Sequence, residues 1–251
     1  MSGHSKWSTI KHKKAALDAK RGRAWSKLAR DVTIAARHGG GDPTANPRLR
    51  LAIDKAKGAN MPKDTIEKAV KKGTGELAGE SIEEIVYEGY GPGGVAILCT
   101  CLTDNRHRTA PEVKKIFERG NGNLGAPNCV AWMFSKKGVF VIAREAADED
   151  KVMEVALENG AEDVNTSDMA HEVTCDPDAY GSIKEALEAA GIAIQSADVT
   201  MIAANQITLD TETARKVLRL MENLEEHDDV QSVSSNFDIP DDVMAELAKE
   251  S

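Results

Sequence analysis

Residues 138–202 read GVFVIAREAADEDKVMEVALENGAEDVNTSDMAHEVTCDPDAYGSIKEALEAAGIAIQSADVTMI. Six segments follow one another in this stretch. Short β-branched runs predict strands at 138–143, 162–166, 170–176 and 194–202. Between them, apolar residues at helical spacing predict helices at 148–158 and 179–190. The order βαββαβ is the split-βαβ arrangement of ferredoxin-like folds.

The flanks on either side supply what a second sheet needs. Upstream, Ile85, Val86 and Tyr87 lead into Gly91-Pro92-Gly93-Gly94, a strong hairpin turn. The run Val95–Leu102 has no polar alternation, as expected of a strand covered on both faces. A helix follows Thr103–Thr109, with Val113, Ile116 and Phe117 inward. Then come a glycine-rich loop at 120–125, a strand at Val130–Phe134 and a turn at Ser135–Gly138. Downstream of the βαββαβ stretch, a helix at 211–224 and a strand at 229–237 complete that sheet. The expected organisation is a discontinuous α/β domain, 81–134 plus 205–240, with a ferredoxin-like α/β domain at 135–204 inserted into it.

Ahead of these lies a different kind of sequence. Residues 1–22 form a basic arm, and 23–75 read as a three-helix domain. Its first helix runs from about Arg23 to His38. Trp25, Leu28, Ala29, Val32 and Ala36 make the apolar face, and Arg23, Lys27, Arg30 and Arg37 lie on another. The second helix is capped by Asn46 with Pro47 in its first turn. The third follows Pro62, where Asp64 and Glu67 resemble a capping box, and Gly73 closes it. Residues 73–80 read as a linker. The fold class is α+β: an amino-terminal three-helix domain, then two ferredoxin-like α/β domains, one inserted in the other.

The 251-residue chain carries 32 Lys and Arg against 41 Asp and Glu, but the two signs are segregated. Residues 1–72 hold 18 Lys and Arg and 6 Asp and Glu, a net of +12. The remainder holds 14 and 35, a net of −21. A basic segment beside an acidic body points to a polyanion partner, most often nucleic acid. Lys and Arg spread along an arm and a helix can follow a phosphate backbone. The candidate contacts are Lys6, Trp7, Lys11, His12, Lys13, Lys14, Lys20, Arg21, Arg23, Lys27, Arg30, Arg48 and Arg50. Trp7 either stacks on a base or packs between arm and helix. Trp25 belongs to the apolar stripe. The sequence has no helix-turn-helix signature, zinc-finger spacing or basic zipper, so base-edge readout has little support.

At the strand-to-helix junction 103–109, Asn105, Arg106 and Arg108 suit a phosphate or a partner carboxylate. They equally suit a helix cap and internal ties. Gly120-Asn-Gly-Asn-Leu-Gly125 has the G-x-G-x-x-G form but follows a helix and precedes a strand. The dinucleotide motif requires strand, loop, then helix, so this is a turn-rich connection. The acidic residues, among them Glu225, Glu226, Asp228 and Asp229, serve solubility, face a basic protein surface or fold back over the arm. Cys99, Cys101, Cys129 and Cys175 form no C-x-x-C pair and read as reduced thiols of a cytosolic protein. No apolar run approaches a membrane span, and the start lacks a secretory h-region. No catalytic residue, metal site or cofactor is assigned, and the oligomeric state is open.

Four segments are similar to one family. They are SGHSKWSTIKHKKAALDAKRGR (2–23), NPRLRLAIDKAKGANMPKDTIEKAVKKG (46–73), YEGYGPGGVA (87–96) and TDNRHRT (103–109). Together they resemble the YebC family of probable transcriptional regulators, over essentially the whole chain. The resemblance implies a cytoplasmic protein with an amino-terminal helical domain and two α/β domains. It implies DNA-binding regulation of transcription. Related members, including a mitochondrial branch, act as translation factors at the ribosome, so the alternative is a ribosome-associated factor on ribosomal or transfer RNA.

Overall fold

The structure, a computed structural model, describes residues 19–78 and 81–249. It is α+β: three helices, then two antiparallel four-stranded sheets each backed by helices.

Helix α1 spans Ala19–Gly39, α2 Pro47–Gly58 and α3 Lys63–Thr74. Val32, Ala36, Leu49, Ala52, Ile66 and Ala69 form their shared core, and Trp25 and Leu28 pack against it. The Trp25 indole N–H donates to Ala59 O at 2.9 Å. Asn46 caps α2 as expected, accepting from Leu49 N at 3.0 Å. Its amide also donates to Ala35 O and Gly40 O, which ties the incoming loop to α1.

Three local expectations are corrected here. Helix α1 is already formed at Ala19, a turn before Arg23. The Asp64–Glu67 capping box is not formed, because Pro62 occupies the N-cap and no side chain caps it. Gly73 does not end α3. It is a packing residue within the helix, where a Cβ would lie 2.4 Å from Thr33 O of α1. The stop is Gly75, at φ +83° in the left-handed region that glycine adopts without steric cost.

Strands β1 (Glu83–Tyr90) and β2 (Ala96–Thr103) form the hairpin around 91–94. Helix α4 (Arg106–Arg119) follows, then the short strand β3 (Asn123–Leu124). After the inserted unit come α7 (Thr211–Glu226) and β9 (Val230–Ser235). The sheet order is β3-β1-β2-β9. Strand β2 is central and has two buried faces. Ile97, Cys99 and Cys101 meet Phe117 and Leu220 beneath α4 and α7, while Ala96 and Leu98 meet Val130 and Phe134 on the other side. That double burial explains its unbroken apolar sequence.

The inserted unit comprises β4 (Phe134–Ala143), α5 (Glu149–Glu158), β5 (Ala161–Thr166), β6 (Ala170–Cys175), α6 (Tyr180–Ala189) and β7 (Ser196–Ala203). Its order, β5-β6-β4-β7, is the ferredoxin-like arrangement. Phe140, Ile142, Val173, Ile183 and Leu187 form its core. The first sheet has the same layout with one strand re-entered. The position occupied by β6 in the inserted unit is filled there by β1, which arrives through the hairpin ahead of β2.

Other expectations are revised by the pairings. Val130–Phe134 is not a strand: Ala131–Met133 is a single 3₁₀ turn. Ser135–Gly138 is not a turn, since β4 pairs with β7 continuously from Phe134 to Val141. The polar run misleads because β6 joins β4 only from Gly138 onward, so 135–137 is paired on one side and keeps exposed or half-buried side chains. The strand expected at 229–237 breaks at Asn236, whose side-chain oxygen accepts from Ala96 N at 2.7 Å. Phe237–Asp238 (β10) then pairs in parallel with Ile207–Thr208 (β8) in a separate small sheet. A last helix, α8 (Asp241–Lys249), packs Val243, Met244 and Leu247 on the first α/β core.

Candidate nucleic-acid interface

Lys6, Trp7, Lys11, His12, Lys13 and Lys14 lie outside the described residues. Lys20 and Arg21 lie within α1. For the remaining candidates the structure separates cations that face inward from those that face water.

The inward set ties the helices to the α/β body. Lys27 Nζ donates to Glu225 O at 2.5 Å and Arg30 Nη1 to Asp228 O at 2.8 Å. These carbonyls lie at and just beyond the end of α7, where peptide oxygens lack helical partners and the helix dipole favours cations. Arg37 donates to Ile82 O at 2.6 Å. On α2, Arg48 Nη2 donates to both Glu84 oxygens at 3.0 Å, and Lys55 pairs with Asp198 of the inserted unit. Leu51 packs against the inserted unit's core. Asp31 sits among these charges with its carboxyl above the usual range. Burial is the main cause, partly offset by Lys55 and Arg48.

Asp229 is the deepest of the tying groups. Its side chain is 2 % exposed. Oδ2 accepts from Arg108 and from the Thr109 hydroxyl, each at 2.7 Å, and Oδ1 accepts from Arg30 at 3.0 Å. Burial pushes this carboxyl up. The hydrogen bonds from Arg108 and Thr109, with the Arg108 and Arg30 charges, outweigh burial and hold it below the usual carboxylate range. The 103–109 junction therefore has internal duties: Asn105 caps α4, accepting from Arg108 N at 3.1 Å, and Arg108 also pairs with Asp104. Arg106 and His107 are exposed.

The outward set is Arg23, Arg50, Lys57, Lys63, Lys68, Lys71 and Lys72, all exposed. Lys57, Lys63 and Lys71 rim a cleft of about 690 Å³ between α2 and α3, floored by Ile53, Met61, Ile66 and Val70. Glu67 and Glu76 also line it, and Glu67 lies 3.6 Å from Lys63. The five lysines were not among the sequence candidates. Crowding of Lys68, Lys71 and Lys72 at a helix end reads first as a dipole effect. What singles them out is their exposure in the folded chain, which depends on tertiary packing.

The glycine-rich loop is explained by packing. A Cβ at Gly120 would meet Leu220 at 2.6 Å, and one at Gly122 would meet Tyr90 O at 2.4 Å. Cys99, Cys101 and Cys175 are buried and Cys129 is half-buried. Among the described residues, no group of three or more His, Cys, Asp or Glu is placed to hold a metal, and no helix is long and apolar enough to cross a membrane.

Residues 5–76 match the model of the TACO1/YebC protein N-terminal domain, and 82–237 match that of the TACO1/YebC second and third domain. A protein of Geobacter sulfurreducens named probable transcriptional regulatory protein is 56% identical over 247 residues, covering 98% of this chain and 100% of that one. Another of the same name, from Desulforapulum autotrophicum, is 56% identical over 243 residues, covering 97% and 98%. The crystal structure of a conserved hypothetical protein, Aq1575, from Aquifex aeolicus superposes with a TM-score of 0.79 at 47% identity, covering 89% of this chain and 92% of that one. Two family models spanning nearly the whole length, with full-length relatives above half identity, place the chain: it belongs to the TACO1/YebC family.

Proposed function

We propose that this chain is a cytoplasmic, non-catalytic nucleic-acid-binding regulator of gene expression. It acts on DNA through its basic amino-terminal arm and the outward cations of α2 and α3. The observation that carries the reading is the segregation of charge, +12 over residues 1–72 against −21 over the rest. The inward cations hold the acidic body to the helices, and seven cations of the helices are exposed. The names of the relatives support a role in transcription.

Competition binding tests it. One promoter sequence should outcompete bulk DNA at physiological salt. Changing Lys11, Lys13 and Lys14 to Ala should weaken binding and lower the salt slope by about 0.7–0.9 per lost phosphate contact. An unchanged slope removes the arm from the interface. A lysine ammonium reads phosphate rather than base edges. That composition also suits ribosomal or transfer RNA, the basis of a second reading as a ribosome-associated translation factor. Co-sedimentation with ribosomes at moderate salt, with weak sequence-blind DNA binding, would select it.

A further inference from the structure

Trp132 is 72% exposed, the most exposed of the large hydrophobic side chains among the described residues. Trp is enriched at interfaces, where one part of the ring is apolar and another wet.

The support is unusually firm. Glu88 of β1, only 6% exposed, accepts from Asn128 N at 2.6 Å, Val130 N at 2.9 Å and Ala131 N at 2.7 Å. Burial raises its carboxyl, yet the three backbone donors more than offset this and leave it below the usual range. Tyr90 donates its hydroxyl to Cys129 O at 3.2 Å, and the Trp132 indole N–H donates to the same oxygen at 3.2 Å. The neighbours Val130 and Phe134 are anchored between the sheets. The loop is therefore fixed on both sides of a ring whose own hydrogen-bonding group is already satisfied, leaving its π-face as what it offers.

Strand register sets out the supporting face of β1. Glu84 and Glu88 lie four residues apart on β1 and so share one face, roughly 13 Å apart along the strand. Glu84 holds Arg48 of α2, and Glu88 holds the Trp132 loop. Val86, 46% exposed, lies between them on that face. On β4, exposed Lys136 sits opposite Met201 and shares a face with Phe134. Exposed Lys136 follows Trp132 by four residues, and an exposed aromatic face with a lysine close by in the chain is a combination that takes a base and a flanking phosphate.

We propose that Trp132 is a stacking platform for an unpaired base, so that this chain grips single-stranded nucleotides at a second contact away from the arm. The inference rests on the nucleic-acid reading above and deepens it by naming the form of the ligand. A duplex keeps its bases in its own stack, whereas unpaired bases stack on exposed aromatics whatever their sequence.

The test uses the full chain and a fluorescently labelled unstructured single-stranded RNA of about 12 nucleotides, with a duplex of equal length. Trp132→Ala should weaken single-strand binding by about 5- to 100-fold. Its salt slope should stay unchanged, because stacking releases no counterions. Duplex affinity should not move, and Trp132→Phe should retain most of the single-strand affinity. Thermal unfolding checks that the variants fold. Equal losses on single strand and duplex would overturn the stacking role. Unchanged affinity for both would also overturn it and leave a protein partner as the reading of the ring. If the unmutated chain bound neither ligand, the nucleic-acid reading itself would fail before any variant was compared.

Discussion

Lys27, Arg30, Arg48 and Lys55 differ little in type from Lys57, Lys68, Lys71 and Lys72, and both groups lie on α1–α3. The first group closes on peptide oxygens and carboxylates of the α/β body. The second projects into water. Net charge therefore overstates the number of cations on this surface that are open to a ligand. A count over residues 1–72 treats as ligand contacts several cations whose partners are inside the molecule. The acidic body has a matching division: Glu84, Asp198 and Asp229 seat the helices, and only the acids beyond them contribute to the repulsion a polyanion meets.

The sharpest way to break this distinction is at Asp229, where the inward set converges. Asp229→Ala removes the acceptor of Arg30, Arg108 and Thr109. Breaking a fully buried pair costs about 3–5 kcal/mol, but both arginines keep water on one side, so about 2–3 kcal/mol is expected. Urea unfolding measures it, and a loss below about 1 kcal/mol would mean the carboxylate does not tie the units. The sign of the pH dependence follows from the lowered carboxyl. Its contribution is present above the unfolded-state value near 3.9 and is lost as pH falls through the folded value. Asp229→Asn should therefore flatten the acid limb of the stability curve, and an identical limb would assign acid sensitivity elsewhere.

A second comparison sets one group of cations against the other. Lys27→Ala with Arg30→Ala should lower stability by about 1–2 kcal/mol while changing the salt slope of nucleic-acid binding little. Lys68, Lys71 and Lys72 to Ala should each stay within about 0.5 kcal/mol of the parent in stability. That triple variant should lower the slope by roughly 0.7–0.9 for each phosphate contact removed. If the inward pair changed the slope more than the outward triple did, the assignment of faces would be reversed.

What the sequence reveals and hides follows the same division. Most of the inserted unit is legible nearly to the residue, because its elements declare themselves through local periodicity: 162–166 and 170–176 against Ala161–Thr166 and Ala170–Cys175, although its first strand begins at Phe134 rather than 138. Elements stabilised from afar were misread. Val130–Phe134 looks like a strand, yet the backbone donors of Val130 and Ala131 are taken by Glu88, more than 40 residues earlier. Gly73 looks like a stop until α1 is seen lying against it. Lys27 and Arg30 look solvated because their acceptors are 198 residues away along the chain. Trp132 was hidden for the same reason, since a strand reading gives its ring an ordinary place in a sheet. The sequence shows where cations are dense, but not which of them are ties and which face water, and the five exposed lysines of α2 and α3 fall outside the candidates it offers.

Asp31 gives the smallest expected effect and the finest discrimination within the inward set. Although Lys55 and Arg48 lie nearby, each already has a carboxylate partner in Asp198 or Glu84. Asp31 is thus a surplus anion at the seam, and burial raises its carboxyl despite the two cations. The sign is opposite to that of Asp229. Its contribution is fully present below the unfolded value near 3.9 and is lost as pH rises through the folded value. Asparagine resembles the protonated acid in shape and hydrogen bonding without its titration. Asp31→Asn should consequently gain roughly 0.5 kcal/mol at pH 7 and nothing near pH 3. Urea midpoints at the two pH values decide it. A loss at neutral pH would show that Asp31 is a required partner of Lys55 and Arg48, and that the seam depends on all three of its carboxylates rather than on the two already paired.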